Sequence, residues 1–239
     1  YVATDIRPLG GSGSRVDVTY SYDADGLIVV TASQDGRALP IRIDHVPEDM
    51  SWADQPPRAP IRATVVLSLD LSGSMSGAPL EQAKAAMRDN FVETLSGTES
   101  KIGVLLFADR TSWLSTPTAG HDALKRKIQG ITIGQGGVGY GNDTDPFGVN
   151  EALTDGDYLV VLTDGVWSHQ QSAIDRAKSL HRRGVNVVAV GFGGADLAFL
   201  KQIASADDLA GMTDLSRLGD SFGRIAQIVQ SGSGSISLR

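Results

Sequence analysis

Cysteine is absent from all 239 residues, which removes disulfide frameworks, thiolate zinc sites and cysteine nucleophiles together. The same absence leans the chain toward a reducing, cytoplasmic compartment. Basic residues are also in short supply: 21 Lys and Arg face 28 Asp and Glu, a net charge of −7. Without a basic stripe to neutralise phosphates, nucleic acid is not an expected partner. No apolar run approaches the roughly 20 residues that cross a bilayer, and no stretch has the character of a signal-peptide h-region. Membrane insertion is therefore not expected. The chain opens on Tyr1 rather than Met and reads as a trimmed one. What is present is ordinary for a globular protein: 41% hydrophobic and 21% charged residues, enough for a normal core.

Two unequal parts follow from the patterning. Residues 1–46 read as a β-strand segment, because "RVDVTYSYDADGLIVVTA" alternates Val16, Val18 and Tyr20, then Leu27, Val29 and Thr31, around Asp25-Gly26. A two-residue turn ending in Gly between alternating runs signals a hairpin. A second Asp-Gly pair at 35–36 precedes "RALPIRI", an expected third strand. Residues 47–60, with four prolines, read as an extended linker. From 61 to 230 strands and helices alternate. "ATVVLSL", "IGVLLFA", "YLVVLTDG" and "VNVVAVGF" are near-continuous apolar runs, separated by helical patterns such as "APLEQAKAAMRDNFVETL" and "QSAIDRAKSLHRRG". Runs of this kind fit strands buried on both faces. The expected fold is α/β: a doubly wound, mostly parallel central sheet flanked by helices, with a small β-rich N-terminal segment. Residues 231–239 read as a Gly/Ser linker and a strand-like tail, "ISLR", able to pair with the N-terminal strands; "GGSGS" at 10–14 has the same linker composition.

The stretch "LDLSGSMSG", residues 69–77, sits where the first of these strands must turn into a helix. Alternate spacing of Asp70, Ser72 and Ser74 throws three side-chain oxygens to one side of an extended segment. In a doubly wound sheet, ligands lie beyond the carboxyl ends of the strands, and Asp70 and Asp164 both follow buried strands. Thr144, in "GNDTDPFG", lies in a loop that reaches the same rim. A serine hydrolase would need Ser at the centre of G-x-S-x-G, but Gly73 and Gly77 bracket Met75. An aspartyl phosphotransferase would want a second acid at position 72, which is Ser, and no Walker lysine occurs. A divalent-cation site of hard oxygen donors, suited to Mg²⁺, Mn²⁺ or Ca²⁺, fits better. The plain reading is a Ser/Gly turn with an aspartate capping the helix.

"DLSGSMS" resembles the D-x-S-x-S motif of von Willebrand factor type A domains, which opens their metal-ion-dependent adhesion site. The likeness runs from about residue 61 to 230 and includes the later "LTDG" element. It implies that Ser72, Ser74 and Thr144 ligate a divalent ion and that Asp70 and Asp164 act through water. The loop around Thr144 departs from the compact Gly-Thr pattern usual there, and Asp143 and Asp145 flank it as alternative shell or partner-contacting groups. Trp167 reads either as a rim residue for a partner or as a side chain buried against the adjacent helix. Residues 1–43, with "VDVTYSYDADGLIVVTA", resemble the late strands of the β-sandwich substrate-binding region of Hsp70 chaperones.

Hydroxyl ligation leaves most of an ion's charge unquenched, and Mg²⁺ keeps exchangeable water. A Glu or Asp carboxylate of a partner protein can then replace that water at a partly desolvated rim, where attraction exceeds its bulk-water strength. The expectation is thus a non-enzymatic adhesion or scaffold module binding an acidic partner residue through the ion. The alternatives are a chaperone-related module that adds an extended peptide to its strands, with a structural metal, and a metal-dependent hydrolase, for which no general base stands beside the serines. "GQGGVG" at 134–139 meets G-x-G-x-x-G in letters, but Pro146 and a polar loop follow it instead of a helix.

Overall fold

The computed structural model describes residues 2–4, 6, 16–22, 28–42, 62–148 and 153–231. The Asp25-Gly26 turn, the proline-rich segment at 47–60, the Gly/Ser stretch at 10–14 and residues 232–239 with the "ISLR" tail lie outside the described residues. The chain divides into two compact units, Tyr1–Pro57 and Arg58–Arg239.

In the first unit, β1 (Val2–Ala3) pairs antiparallel with β5 (Ile41–Arg42), while β2 (Asp17–Tyr22), β3 (Ile28–Gln34) and β4 (Arg37–Leu39) form an antiparallel sheet in that order. Asp35 and Gly36 join β3 to β4 with φ of 51° and 79°. Two successive positive φ angles make the turn whose twist suits a tight hairpin, and Asp-Gly tolerates both. Period-two burial follows. Val30, Ala32 and Leu39 are buried, with Ala32 opposite Leu39, while Val18, Tyr20 and Val29 face outward. "RALPIRI" is not one strand. It divides at Pro40, which has no N–H to give a ladder, and whose carbonyl accepts from Thr4 N at 3.1 Å.

The second unit is built on β6 (Thr64–Asp70), β7 (Lys101–Phe107), β8 (Thr111–Thr118), β9 (Tyr158–Thr163), β10 (Asn186–Gly191) and β11 (Ala210–Met212). They form a six-stranded sheet in the order β11-β10-β9-β6-β7-β8, parallel except for the antiparallel β7–β8 pair. The helices are α1 (Ala78–Ala85), α2 (His121–Gln129), α3 (Gln170–Arg182), α4 (Leu197–Ile203) and α5 (Leu218–Ser231). β6, β7, β9 and β10 are predominantly apolar because both faces are covered, so their apolar side chains make one continuous core with those of the helices. Two features were not expected. α1 runs on as a π-helical segment, Ala86–Val92, with Glu93 N bonding back five residues to Arg88 O. This segment aims Phe91 edge-on at Phe222 of α5, with ring centroids 6.1 Å apart. The three-residue β11 is too short to leave a periodic signature. Residues 149–152, beyond the Thr144 loop, lie outside the described residues.

The order of the sheet places the site. The chain leaves β6 for β7 on one side, and β9 takes the other, so β6 and β9 border the topological switch point. Their register pairs Leu69 with Leu162, which sets Asp70 beside Thr163 at adjoining strand ends.

Candidate metal centre

Asp70 is the last residue of β6 and is 1% exposed. Its two oxygens are spoken for by the chain itself: Ser72 N donates to Oδ1 at 2.8 Å and Thr163 Oγ1 donates to Oδ2 at 2.6 Å. The first bond is an Asx turn that bends the chain away from the strand. The second crosses from β6 to β9 and fixes the carboxylate plane. After this turn, Gly73–Met75 makes a single 3₁₀ turn with Met75 anchored in the core, which presents Ser72 and Ser74 together. Their hydroxyls are 3.1 Å apart. Ser74, exposed, donates onward to Asp164 Oδ1 at 2.8 Å. A single chain of contacts therefore joins Asp70, Ser72, Ser74 and Asp164, across 94 positions of sequence.

Burial pushes the Asp70 carboxyl up from its ordinary value, against the hydrogen bonds from Thr163 and Ser72, and the charge of Asp164 adds to the rise. Asp164 is raised for the same first reason, partly offset by Ser74. Among the described residues no Lys or Arg pairs with either acid. Two buried acids with only neutral partners are a place where a positive ion is favoured. The donors are all hard oxygens, hydroxyl and carboxylate, and suit a divalent ion that tolerates bound water. Among the described residues no group of three or more His, Asp or Glu could hold a metal, so an ion here would need hydroxyl, carbonyl or water oxygens beside the two acids.

Thr144 is brought to the same end of the sheet by its backbone N–H, which donates to Ala108 O at 2.9 Å just past β7. Its hydroxyl donates to Asp109 O at 2.8 Å, which leaves the oxygen lone pairs for another donor or ion. No hydrogen bond joins it to the serines or to Asp164 among those described.

The flanking residues separate sharply. Asp143 is exposed. Asp145 is 5% exposed, accepts from Phe147 N at 3.0 Å and is paired with Arg176 of α3. A carboxylate so engaged contacts no partner protein, and the expectation for Asp145 is corrected on that ground. Of the two readings of Trp167, burial holds and the rim reading is corrected. At 4% exposure it lies in the core, edge-on to Phe107 and Phe199 with centroids 5.3 and 5.1 Å away, and its indole N–H donates to Thr163 Oγ1 at 3.1 Å. Its work at the site is to hold Thr163, which holds Asp70. Thr163 itself was missed; only its place before Asp164 at a strand end could have pointed to it. Around the rim, Tyr140 and Val166 are 70% and 54% exposed, and Tyr140 O accepts from Gly73 N at 3.2 Å.

A mostly parallel α/β sheet whose switch point carries paired serines between two carboxylates defines a class of oxygen-lined rim domains. A family model described as the von Willebrand factor type A domain matches residues 64–224, and the chain belongs to that family. Solved structures agree on the fold. Proximal thread matrix protein 1 from the mussel byssus superposes with a TM-score of 0.57 at 19% identity, over 70% of this chain and 48% of that one. This chain thus spans about half the length of the mussel protein. The same protein "with zinc occupied MIDAS motif" gives 0.54 at 22% identity, over 72% and 45%. The von Willebrand domain of the type V pili tip protein Mfa5 from Porphyromonas gingivalis gives 0.60 at 14%, over 75% and 99%. No curated protein matches the chain. No helix among the described residues is long and apolar enough to cross a membrane.

Proposed function

We propose that the second unit is a non-catalytic protein-binding module whose rim takes an Asp or Glu of a partner through a divalent cation. The observation that carries this reading is the linked set Asp70–Ser72–Ser74–Asp164, in which two buried carboxylates lack a basic partner among the described residues while hydroxyl oxygens stand between them. Ser72, Ser74 and Thr144 would hold the ion, with Asp70 and Asp164 acting through water. The ion supplies a positive charge and an exchangeable coordination position. The residues do the rest: Thr163 and the Ser72 N–H keep Asp70 oriented, and Ser74 bridges to Asp164. Mg²⁺ or Mn²⁺ is the reading from ligand hardness; the zinc in the mussel protein's motif makes zinc the competitor to include. The N-terminal strands are read as a segment similar to the late strands of the Hsp70 substrate-binding region.

The test has two stages. Calorimetric titrations of the full chain with Mg²⁺, Mn²⁺, Ca²⁺ and Zn²⁺ should show one site that Asp70→Ala abolishes. A displayed random-peptide library, selected on the chain in Mn²⁺ and eluted with EDTA, should return sequences sharing an Asp or Glu whose amide replacement ends binding. Binders that persist in EDTA, or that share no acid, overturn the reading.

A further inference from the structure

The large apolar side chains that the second unit leaves in water are gathered at one end of it. Among its described residues they are Trp113, Tyr140, Val166, Leu197 and Met212. Trp113 lies inside the border strand β8. The other four stand at the carboxyl end of the parallel strands, around the candidate metal centre. Met212 closes β11, and Leu197 opens α4 after β10. Val166 is two residues past Asp164, and Tyr140 is held against the turn that carries Ser72 and Ser74. One exposed apolar residue needs no explanation, but several around a single polar site point to a contact surface.

Two of the four border the linked serines and acids. A methyl built on Gly73 would meet the Tyr140 ring at 3.7 Å, and Gly73 N donates to Tyr140 O at 3.2 Å. The backbone beside Tyr140 is pinned as well: Gly139 N donates to Asp109 Oδ1 at 2.6 Å and Thr144 N to Ala108 O at 2.9 Å. The loop of Val166 is fastened to that of Tyr140, because Asn142 Nδ2 donates to Val166 O at 3.2 Å and Ser168 N donates to Asn142 O at 2.9 Å. Side chains exposed on anchored backbone give up little freedom when covered, and tyrosine is among the residues that supply most of the binding energy at interfaces. We propose that Tyr140 and Val166 form an apolar collar on the metal centre, fitted to an extended protein segment whose metal-bridging Asp or Glu has a large apolar residue within two positions. This rests on the metal reading above. Residues two apart in an extended segment share a face, so an acid lowered toward the ion brings its second neighbours onto the collar.

Peptides selected on the full chain in Mn²⁺ should carry a large apolar residue within two positions of the shared acid, and its replacement by Ser should weaken them about tenfold. Tyr140→Ala should weaken the same peptides about tenfold, Val166→Ser by less, and Tyr140→Phe, which keeps the ring, least of all. Mn²⁺ affinity by calorimetry should be the same in Tyr140→Ala as in the unaltered chain. Acid-bearing, EDTA-sensitive peptides with no apolar preference, or ones that bind Tyr140→Ala as tightly as the unaltered chain, overturn the collar and leave the metal reading intact. A loss of Mn²⁺ affinity in Tyr140→Ala equal to the loss of peptide affinity makes Tyr140 a support of the centre and also overturns the collar. Binders that need Tyr140 yet persist in EDTA overturn the metal reading and with it the acid's part in the proposal. A library that yields no binder overturns both.

Discussion

Thr163 Oγ1 donates to Asp70 Oδ2 at 2.6 Å while accepting the indole N–H of Trp167 at 3.1 Å, so one hydroxyl joins the rim carboxylate to the core. Thr163→Val keeps the shape and removes these two bonds together with the one accepted from Gly165 N at 3.4 Å. A buried carboxylate oxygen and a buried indole N–H are then left unmade, at about 1–3 kcal/mol. The urea midpoint should drop with an unchanged m-value, and Mn²⁺ affinity should fall with it.

Trp167→Ala tests the same column from below. The ring is packed against Phe107, Phe147 and Phe199, and truncation of such a side chain costs about 3–5 kcal/mol. Thermal unfolding should move down by many degrees. A variant as stable as the parent contradicts the core placement.

Cation binding should register as stability. At a free concentration 100 times the dissociation constant, a ligand specific for the folded state contributes about 2.7 kcal/mol. Mg²⁺ or Mn²⁺ should therefore raise the melting temperature of the unaltered chain, EDTA should reverse it, and Ser72→Ala should blunt it.

Asp145 and Arg176 form a pair with one partner buried and the other half exposed. Arg176→Met leaves the carboxylate inside without its cation and should destabilise by about 1–3 kcal/mol. Adding Asp145→Asn should return part of that loss. The double-mutant cycle from urea midpoints reads the coupling.

His181, near the end of α3, donates from Nε2 to Ile203 O at 3.0 Å. Burial depresses its pKa from 6.5, outweighing the carbonyl bond, with Lys178 and Arg182 adding to the depression. The unfolded chain binds the proton more readily, so stability is full above about pH 6.5 and declines as pH falls toward the folded value. Between pH 7.5 and 5.5 the urea midpoint should fall less in His181→Gln than in the parent.

Much of this fold is written in local pattern. Strands buried on both faces leave apolar runs such as 64–69 and 158–162, and their spacing by helical segments dictates a parallel sheet. The rim was legible for the same reason: Asp70, Ser72 and Ser74 alternate directly after one run, and Asp164 ends another. What the pattern does not carry is pairing at a distance. Asp145 looks as available as Asp143 until α3 delivers Arg176 31 positions later. Trp167, in a polar turn, reads equally as a rim or a buried aromatic until three phenylalanines from three segments enclose it. The π-helical segment has no residue signature either, and it carries Phe91 to 6.1 Å from Phe222.

The margins of the six-stranded sheet carry a consequence for its neighbours. On one side β11 offers three residues; on the other, β8 is irregularly registered against β7 and includes Pro117, seated directly over Gly103. A short strand on one border and a proline and irregular register on the other both discourage pairing with a foreign backbone. Under the proposed function, a partner would therefore meet side chains at the carboxyl end of the sheet in preference to its borders.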